Sequence, residues 1–312
     1  MRNAFADEIL KLAEKDERIV LLSGDIGNRL FDPFKAACPD RFFNCGVAEQ
    51  NMVGMAAGLA LRGYRPVVYT ITSFLLNRPY EQIRIDVGYH HLPVTFVGVG
   101  GGLSYASNGG THHATEDIAL MRTIPGMQIV APGDAPEVRA AVNLIGKVDQ
   151  PLFIRIGKKK EPVVHESPVE YALGGSICFK ESGTVGICVT GNLLPFALEA
   201  NEILQGQGVD ARLYHAYSLE PIDQGIVDTL FDECTTVFSV EEHSVQGGLG
   251  SILLETAHQR GHDTRKLKKI GTPHSFHHRT ATQQQHREQL GLTAEGIAKQ
   301  IRENLPTLNS KP

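Results

Sequence analysis

The sequence has no paired-cysteine spacing, no long apolar run and no excess of basic charge, and each absence removes a class of protein. Its five cysteines (Cys38, Cys45, Cys178, Cys188 and Cys234) are odd in number and never form a C-x-x-C unit. They read as reduced thiols of a cytosolic protein, not as a disulfide framework or a zinc site. No stretch approaches the roughly 20 apolar residues of a membrane-spanning helix. The charged start, Met1-Arg2-Asn3-Ala4-Phe5-Ala6-Asp7-Glu8, lacks the apolar centre of a signal peptide. A cytoplasmic location is the expectation. The net charge of −5 has both signs interspersed, which disfavours nucleic acid and anionic membrane as partners. The run Lys158-Lys159-Lys160 ends at Glu161 and reads as a solvated loop. Gly98, Gly100, Gly101 and Gly102 follow a strand-like run but miss the G-x-G-x-x-G spacing, since Leu103 or Tyr105 stands where the third glycine belongs. A dinucleotide site is disfavoured on that ground. No internal repeat or low-complexity segment stands out.

What is present is an alternation of apolar strand runs and helical patterns. At 312 residues and 42% hydrophobic content, two domains are the default. The periodicity predicts helices over 3–15, 31–37, 79–90, 115–123 and 134–146. Between them it predicts strands over 18–23, 66–71, 93–99, 127–131 and 151–156. A charged stretch from Gly157 to Gly175, with Pro162 and Pro168, looks like an interdomain linker. A second α/β pattern follows, with strands over 184–190, 209–213 and 236–240, a helix to about Leu204, one over 223–231, and one after Gly247-Gly248-Leu249-Gly250. The expected fold class is α/β, with two domains (1–165 and 176–312), each a mainly parallel sheet flanked by helices.

The most informative segment runs from Arg41 to Leu61. Phe42 to Val47 reads as a strand. From Asn51 the pattern is apolar nearly all round, as in a buried helix. Gly54 and Gly58, four apart, predict a close backbone approach to a neighbour, because each glycine costs about 1 kcal/mol relative to alanine. Glu49 stands at the joint, where a first-turn acid complementing the helix dipole is the ordinary reading. Phe74, just after a strand ending in Thr72-Ser73, is by composition a core residue. The glycine-rich loop reads as flexible and delivers Asn108, Thr111 and His112 to a cleft at the C-terminal edge of a sheet, where open α/β folds bind ligands. His112 and His113, and separately His274, His277 and His278, could be metal ligands or loop residues. No cysteine or second carboxylate stands at ligand spacing, and the latter three read as a surface-loop cluster.

Taken in order, the Ala48-Glu49-Gln50 joint, the glycine-bearing helix, Arg65 to Phe74, Thr111-His112-His113, Val130-Ala131-Pro132 and Pro151 to Arg155 resemble the pyrimidine-binding domain of transketolase-type thiamine diphosphate enzymes. The second half, with its Val240-Glu241-Glu242-His243-Ser244 run through Gly250, resembles the C-terminal domain of transketolases. The resemblance covers the whole chain. It implies that Glu49 hydrogen-bonds the far ring nitrogen of the cofactor's aminopyrimidine, driving the tautomer that makes the cofactor its own base. Phe74 would stack on that ring, Asp25 would lie near the cofactor at the subunit contact, and His112 would touch the donor sugar. Asn108 stands where relatives usually carry a sugar-reading aspartate, and Gly100 where a second histidine is expected. His113 replaces the usual glutamine. Arg155 matches a phosphate-binding arginine, a task its forked guanidinium suits; a structural ion pair is the competing reading.

The Gly-Asp-Gly turn and Asn-Asn pair with which these enzymes hold the diphosphate through Mg²⁺ are missing. Gly24-Asp25 is followed by Ile26. The resemblance is therefore to the C-terminal subunit of a split transketolase. It implies a two-carbon ketol transfer from a ketose phosphate to an aldose, with thiamine diphosphate as cofactor. A separately encoded N-terminal subunit would hold Mg²⁺, in an α2β2 heterotetramer, and this chain itself would provide no metal ligand. Alternatives are an enzyme like 1-deoxyxylulose-5-phosphate synthase, the β subunit of a 2-oxoacid dehydrogenase, and a non-catalytic assembly subunit. The Thr-His-His loop argues against the dehydrogenase, and retained Glu49, Phe74 and His112 argue against the last.

Overall fold

Twelve strands are found among residues 1–158 and 161–305, the part of the chain that the computed structural model describes; Lys159 and Lys160, in the basic run, lie outside it. The first six are β1 (Ile19–Ser23), β2 (Phe42–Asn44), β3 (Arg65–Ile71), β4 (Thr95–Val99), β5 (Gln128–Val130) and β6 (Leu152–Ile156). The rest are β7 (Ile177–Lys180), β8 (Val185–Val189), β9 (Ala211–His215), β10 (Ser218–Glu220), β11 (Thr236–Ser244) and β12 (Leu267–Thr272). The first sheet has the order β10-β5-β6-β4-β3-β1-β2, and every pairing is parallel except β10 with β5. The second has the order β12-β11-β8-β9-β7, parallel except for β7 with β9. The α/β class is as expected. Strands β1, β4, β6, β8 and β9 are buried at every position, which is why they read as continuous rather than alternating apolar runs.

The two halves of the chain are more closely joined than a linker implies. Strand β10 belongs to the second half yet completes the edge of the first sheet. One apolar core runs from Val20, Met52 and Phe96 through Tyr214, Leu219 and Leu249. Residues 161–175 of the segment expected to be a charged linker form a strap: Asp134 Oδ2 accepts the backbone N–H groups of Val164 and His165, each at 2.9 Å. Tyr171 donates to Glu137 Oε2 at 2.7 Å and stacks on Tyr217 with ring centroids 3.6 Å apart.

Several local expectations change. Strand β2 stops at Asn44, because Gly46 turns the chain at φ +68° and Asn44 Oδ1 accepts its N–H. The following helix starts at Glu49, so that acid stands in the first turn as expected. It is not buried all round: Asn51, Gly58 and Leu61 face outward, and a Cβ at Gly54 or Gly58 would meet nothing within 4 Å. The neighbour those glycines anticipate is not in the described part of this chain. The helix expected over 79–90 is a short turn, Tyr80–Gln82, followed by a π-helical segment, Ile83–Gly88. Phe74 lies inside a helix, Thr72–Asn77, near its start. Strand β11 continues through Glu241, Glu242 and His243, all completely buried. No helix among the described residues is long and apolar enough to cross a membrane.

Candidate active site

Glu49 opens the helix Glu49–Leu61, behind the turn at Gly46. It is 3% exposed, and among the described residues its Oε2 accepts a single hydrogen bond, from Arg78 Nη1 at 2.8 Å. Arg78 closes the helix that carries Phe74, four residues on, so both project from one helix face. Its guanidinium carbon lies 4.2 Å from the Phe74 ring centroid. Phe74 also meets His112 edge-on, with centroids 4.9 Å apart. A cavity of about 470 Å³, lined by Val47 to Asn51 and Arg78, opens beside Glu49. Glu49, Phe74 and His112, far apart in sequence, thus stand in one row.

The loop that holds His112 is packed rather than flexible. Gly100 has φ +84°, and a Cβ there would stand 2.1 Å from the Tyr105 ring. A histidine at that position has no room, which gives the departure a steric reason. The N–H groups of Gly100 and Gly101 donate to Ile156 O, and Gly102 exchanges backbone bonds with Ala114. Ser73 Oγ donates to Thr111 O at 2.9 Å, and His112 Nδ1 is 2.9 Å from Thr111 Oγ1. Burial, then the charges of Lys158 and Arg78, hold the His112 imidazole below its ordinary pKa. It is neutral at pH 7, and its bond to Thr111 is made by Nδ1 rather than Nε2. Lys158 Nζ lies 4.3 Å from the Tyr105 centroid. Asn108 is exposed on the same loop. Asp25 is exposed at the end of β1, in the left-handed region (φ +58°), and accepts from Asn44 Nδ2 at 3.0 Å.

Arg155 is elsewhere. It is 4% exposed beneath the glycine loop, donating to Asp117 Oδ2 at 2.7 Å and to Glu242 O at 2.9 Å. Its guanidinium belongs to the seam between the halves, in keeping with the ion-pair reading rather than with a phosphate contact in the open cleft. Beside it, Glu242 accepts from Leu103 N–H, Gln283 and Arg287. Glu241 accepts the N–H groups of Leu249 and Gly250, yet complete burial raises its pKa to about 7. Burial lowers His243 to about 4.

The sequence missed Arg78, Tyr105 and Lys158 among the groups that face the row. For Arg78 the i,i+4 spacing from Phe74 was the available signal. The histidines also group differently: His277 leaves the surface cluster and packs with His113 and His286, centroids 5.6–6.1 Å apart. Among the described residues only Asp134, Glu137 and His165 bring three ligand atoms within 4.8 Å of one another. Those carboxylates already accept from backbone N–H groups, Tyr171 and His215, so they are a poor fit for a diphosphate-bound Mg²⁺. A pyrimidine ring fits better: a buried carboxylate with one partner stands beside an aromatic face that already accepts a flat cation.

The fold is a mainly parallel α/β domain, with Glu49, Phe74 and His112 in one row on it, joined to a second α/β domain. Residues 1–162 match the family model "Transketolase, pyrimidine binding domain", and residues 180–297 match "Transketolase, C-terminal domain". The chain belongs to the transketolase family of thiamine diphosphate-dependent transferases. It is 36% identical over 257 residues to an apulose-4-phosphate transketolase subunit of Phocaeicola vulgatus, covering 82% of each chain. It is 33% identical over 302 residues to 1-deoxy-D-xylulose-5-phosphate synthase 2 of Geobacter sulfurreducens, covering 96% of this chain but 48% of that protein. A solved "Split gene transketolase, inactive beta4 tetramer" superposes with a TM-score of 0.86 at 32% identity, covering 97% of this chain and 96% of that one.

Proposed function

We propose that this chain is the pyrimidine-binding half of a split transketolase, transferring a two-carbon ketol unit from a ketose phosphate to an aldose. The observation that carries the reading is the row Glu49–Phe74–His112, with a buried carboxylate and an aromatic face on one side and a neutral imidazole on the other. When bound, thiamine diphosphate supplies a thiazolium carbon nucleophile. Glu49 then hydrogen-bonds the far pyrimidine nitrogen and holds the proton there, while Phe74 carries the ring face. His112, with Nδ1 engaged by Thr111, offers Nε2 to the donor sugar. Asn108 offers an uncharged amide to a sugar hydroxyl. Lys158 is a better placed cation than Arg155 for a substrate phosphate, since its Nζ lies 4.3 Å from the Tyr105 ring, whose centroid is 6.1 Å from that of His112.

The partner subunit supplies the Mg²⁺ and diphosphate contacts, in an α2β2 assembly. The outward face at Gly54, Gly58 and Leu61 is its docking surface, with Asp25 at the contact. The superposable split-gene chain, described as an inactive β4 tetramer, supports a chain that assembles without a complete site. A second reading, a 1-deoxyxylulose-5-phosphate synthase-like activity, is favoured by the 33% identity, though this chain spans about half of that relative.

The test is donor consumption by the purified chain with thiamine diphosphate and Mg²⁺, alone and with the protein carrying the Gly-Asp-Gly and Asn-Asn motifs. Ketol transfer only in the mixture is the expected result. A phosphorylated 1-deoxy sugar as product would favour the second reading, and turnover by the chain alone would refute the half-site.

A further inference from the structure

The two contacts assigned above to the pyrimidine ring are both made, in this chain, by one side chain. Arg78 donates to Glu49 Oε2 at 2.8 Å and rests its guanidinium 4.2 Å from the Phe74 centroid. A guanidinium is flat, carries N–H donors at its edge and stacks on aromatic rings. An aminopyrimidine that donates a ring N–H to a carboxylate and lies on a phenyl face offers the same pattern. Two flat groups cannot occupy one face of Phe74. Arg78 is the only hydrogen-bond partner of the Glu49 side chain among the described residues. It is 45% exposed where Glu49 is 3% exposed, so the arginine can leave while the carboxylate cannot follow. The cavity of about 470 Å³ beside them gives it room.

An ordinary surface ion pair would explain the 2.8 Å bond, and such pairs contribute little. It would not explain why the cation also covers the aromatic face, nor why the acid is buried. We propose that Arg78 is a placeholder: in the cofactor-free chain it occupies the pyrimidine subsite, compensates the buried charge of Glu49, and is displaced when the cofactor binds. The inference rests on the assignment of Glu49 and Phe74 to the pyrimidine. It makes Arg78 a determinant of cofactor affinity that opposes binding.

Two measurements test it, neither depending on turnover. The first is the thermal midpoint of the chain alone for Arg78→Met, Glu49→Gln and the double variant. The account expects Arg78→Met to lower the midpoint, and to do so far less once Glu49 is Gln. Additive effects would overturn the pairing. The second is calorimetric titration of thiamine diphosphate, with Mg²⁺, into the reconstituted complex. Arg78→Met should bind about tenfold tighter, and Arg78→Lys, which keeps the charge without the flat face, should fall between it and the unsubstituted complex. Weaker binding by Arg78→Met would make Arg78 a cofactor contact, and unchanged binding would make it a bystander; either overturns the placeholder. Phe74→Ala and Glu49→Gln separate this failure from a deeper one. If both leave cofactor affinity and turnover intact, the assignment of the subsite falls, and the placeholder with it.

Discussion

Two buried glutamates stand in the two regions of this molecule, and their surroundings differ. Glu242, on β11 at the seam, is fully buried and accepts from the Leu103 N–H, Gln283 and Arg287. Glu49, in the first region, is 3% exposed and among the described residues accepts only from Arg78, a side chain 45% exposed to solvent. The arginines repeat the contrast. Arg155 is buried with a carboxylate and backbone carbonyls around it, while Arg78 holds one carboxylate and one ring face. A buried charge with its full set of partners is held in place and has little capacity left for a ligand. A buried charge with one removable partner retains that capacity. The seam is finished and the pocket is not, which is why the proposed chemistry is assigned to the pocket.

The largest expected effect separates the two regions by function. In the reconstituted enzyme, Glu49→Gln should leave the fold intact and lower turnover by about 10²–10⁴-fold, the usual range for lost proton-transfer assistance. Turnover within fivefold of the unsubstituted enzyme would place Glu49 with the structural acids. Arg155→Met should act the other way. It strands Asp117 without its partner, and breaking one side of a buried pair costs about 3–5 kcal/mol, read as a shifted urea midpoint. If Arg155 instead binds substrate phosphate, KM rises while the midpoint stays put.

A smaller effect concerns pH. The folded chain holds His243 at about 4, against an ordinary value of 6.5. The unfolded chain therefore takes up this proton first, and stability falls as pH drops from 6.5 towards 4. Glu241, raised from 4.5 to about 7, slopes oppositely: its contribution is present below 4.5 and is lost as pH rises through 7. His243→Gln should remove the first slope and keep the second, a difference of up to about 3 kcal/mol by pH 4. Parallel urea-derived profiles for the two proteins would contradict this. The smallest effect is at Gly54, where a Cβ meets nothing within 4 Å. Gly54→Ala should stabilise the chain alone by about 0.5–1 kcal/mol and weaken association with the partner in sedimentation experiments. Unimpaired association would move the docking surface off this helix.

The difference between the regions also decided what could be read in advance. Strands β1, β4, β6 and β8 were legible because strands covered on both faces are unbroken apolar runs. Strand β10 has three residues, too few for a pattern, and β12 mixes Lys268 and Lys269 into a partly exposed edge. Glu49, Phe74 and His112 could be singled out by their family motifs. Tyr105 and Lys158 could not, because what marks them is proximity after folding, and Arg78 had only its i,i+4 spacing from Phe74 as a signal. The glycine loop was read as flexible because sequence does not distinguish glycine used for freedom from glycine used for close approach, and Gly100 against Tyr105 is the second kind. The strand expected over 236–240 runs on through Glu241-Glu242-His243, although three titratable residues in a row rarely fill a buried strand; here helix-start N–H groups and Arg287 make it possible.

The central claim is that this chain carries one half of a cofactor site. Calorimetric titration of thiamine diphosphate with Mg²⁺ into the chain alone, and then into an equimolar mixture with the partner subunit, tests it most directly. The account predicts no binding isotherm for the chain alone and one saturable site per chain in the mixture, with the complex stabilised by mass action. Equal affinity in both titrations would contradict it.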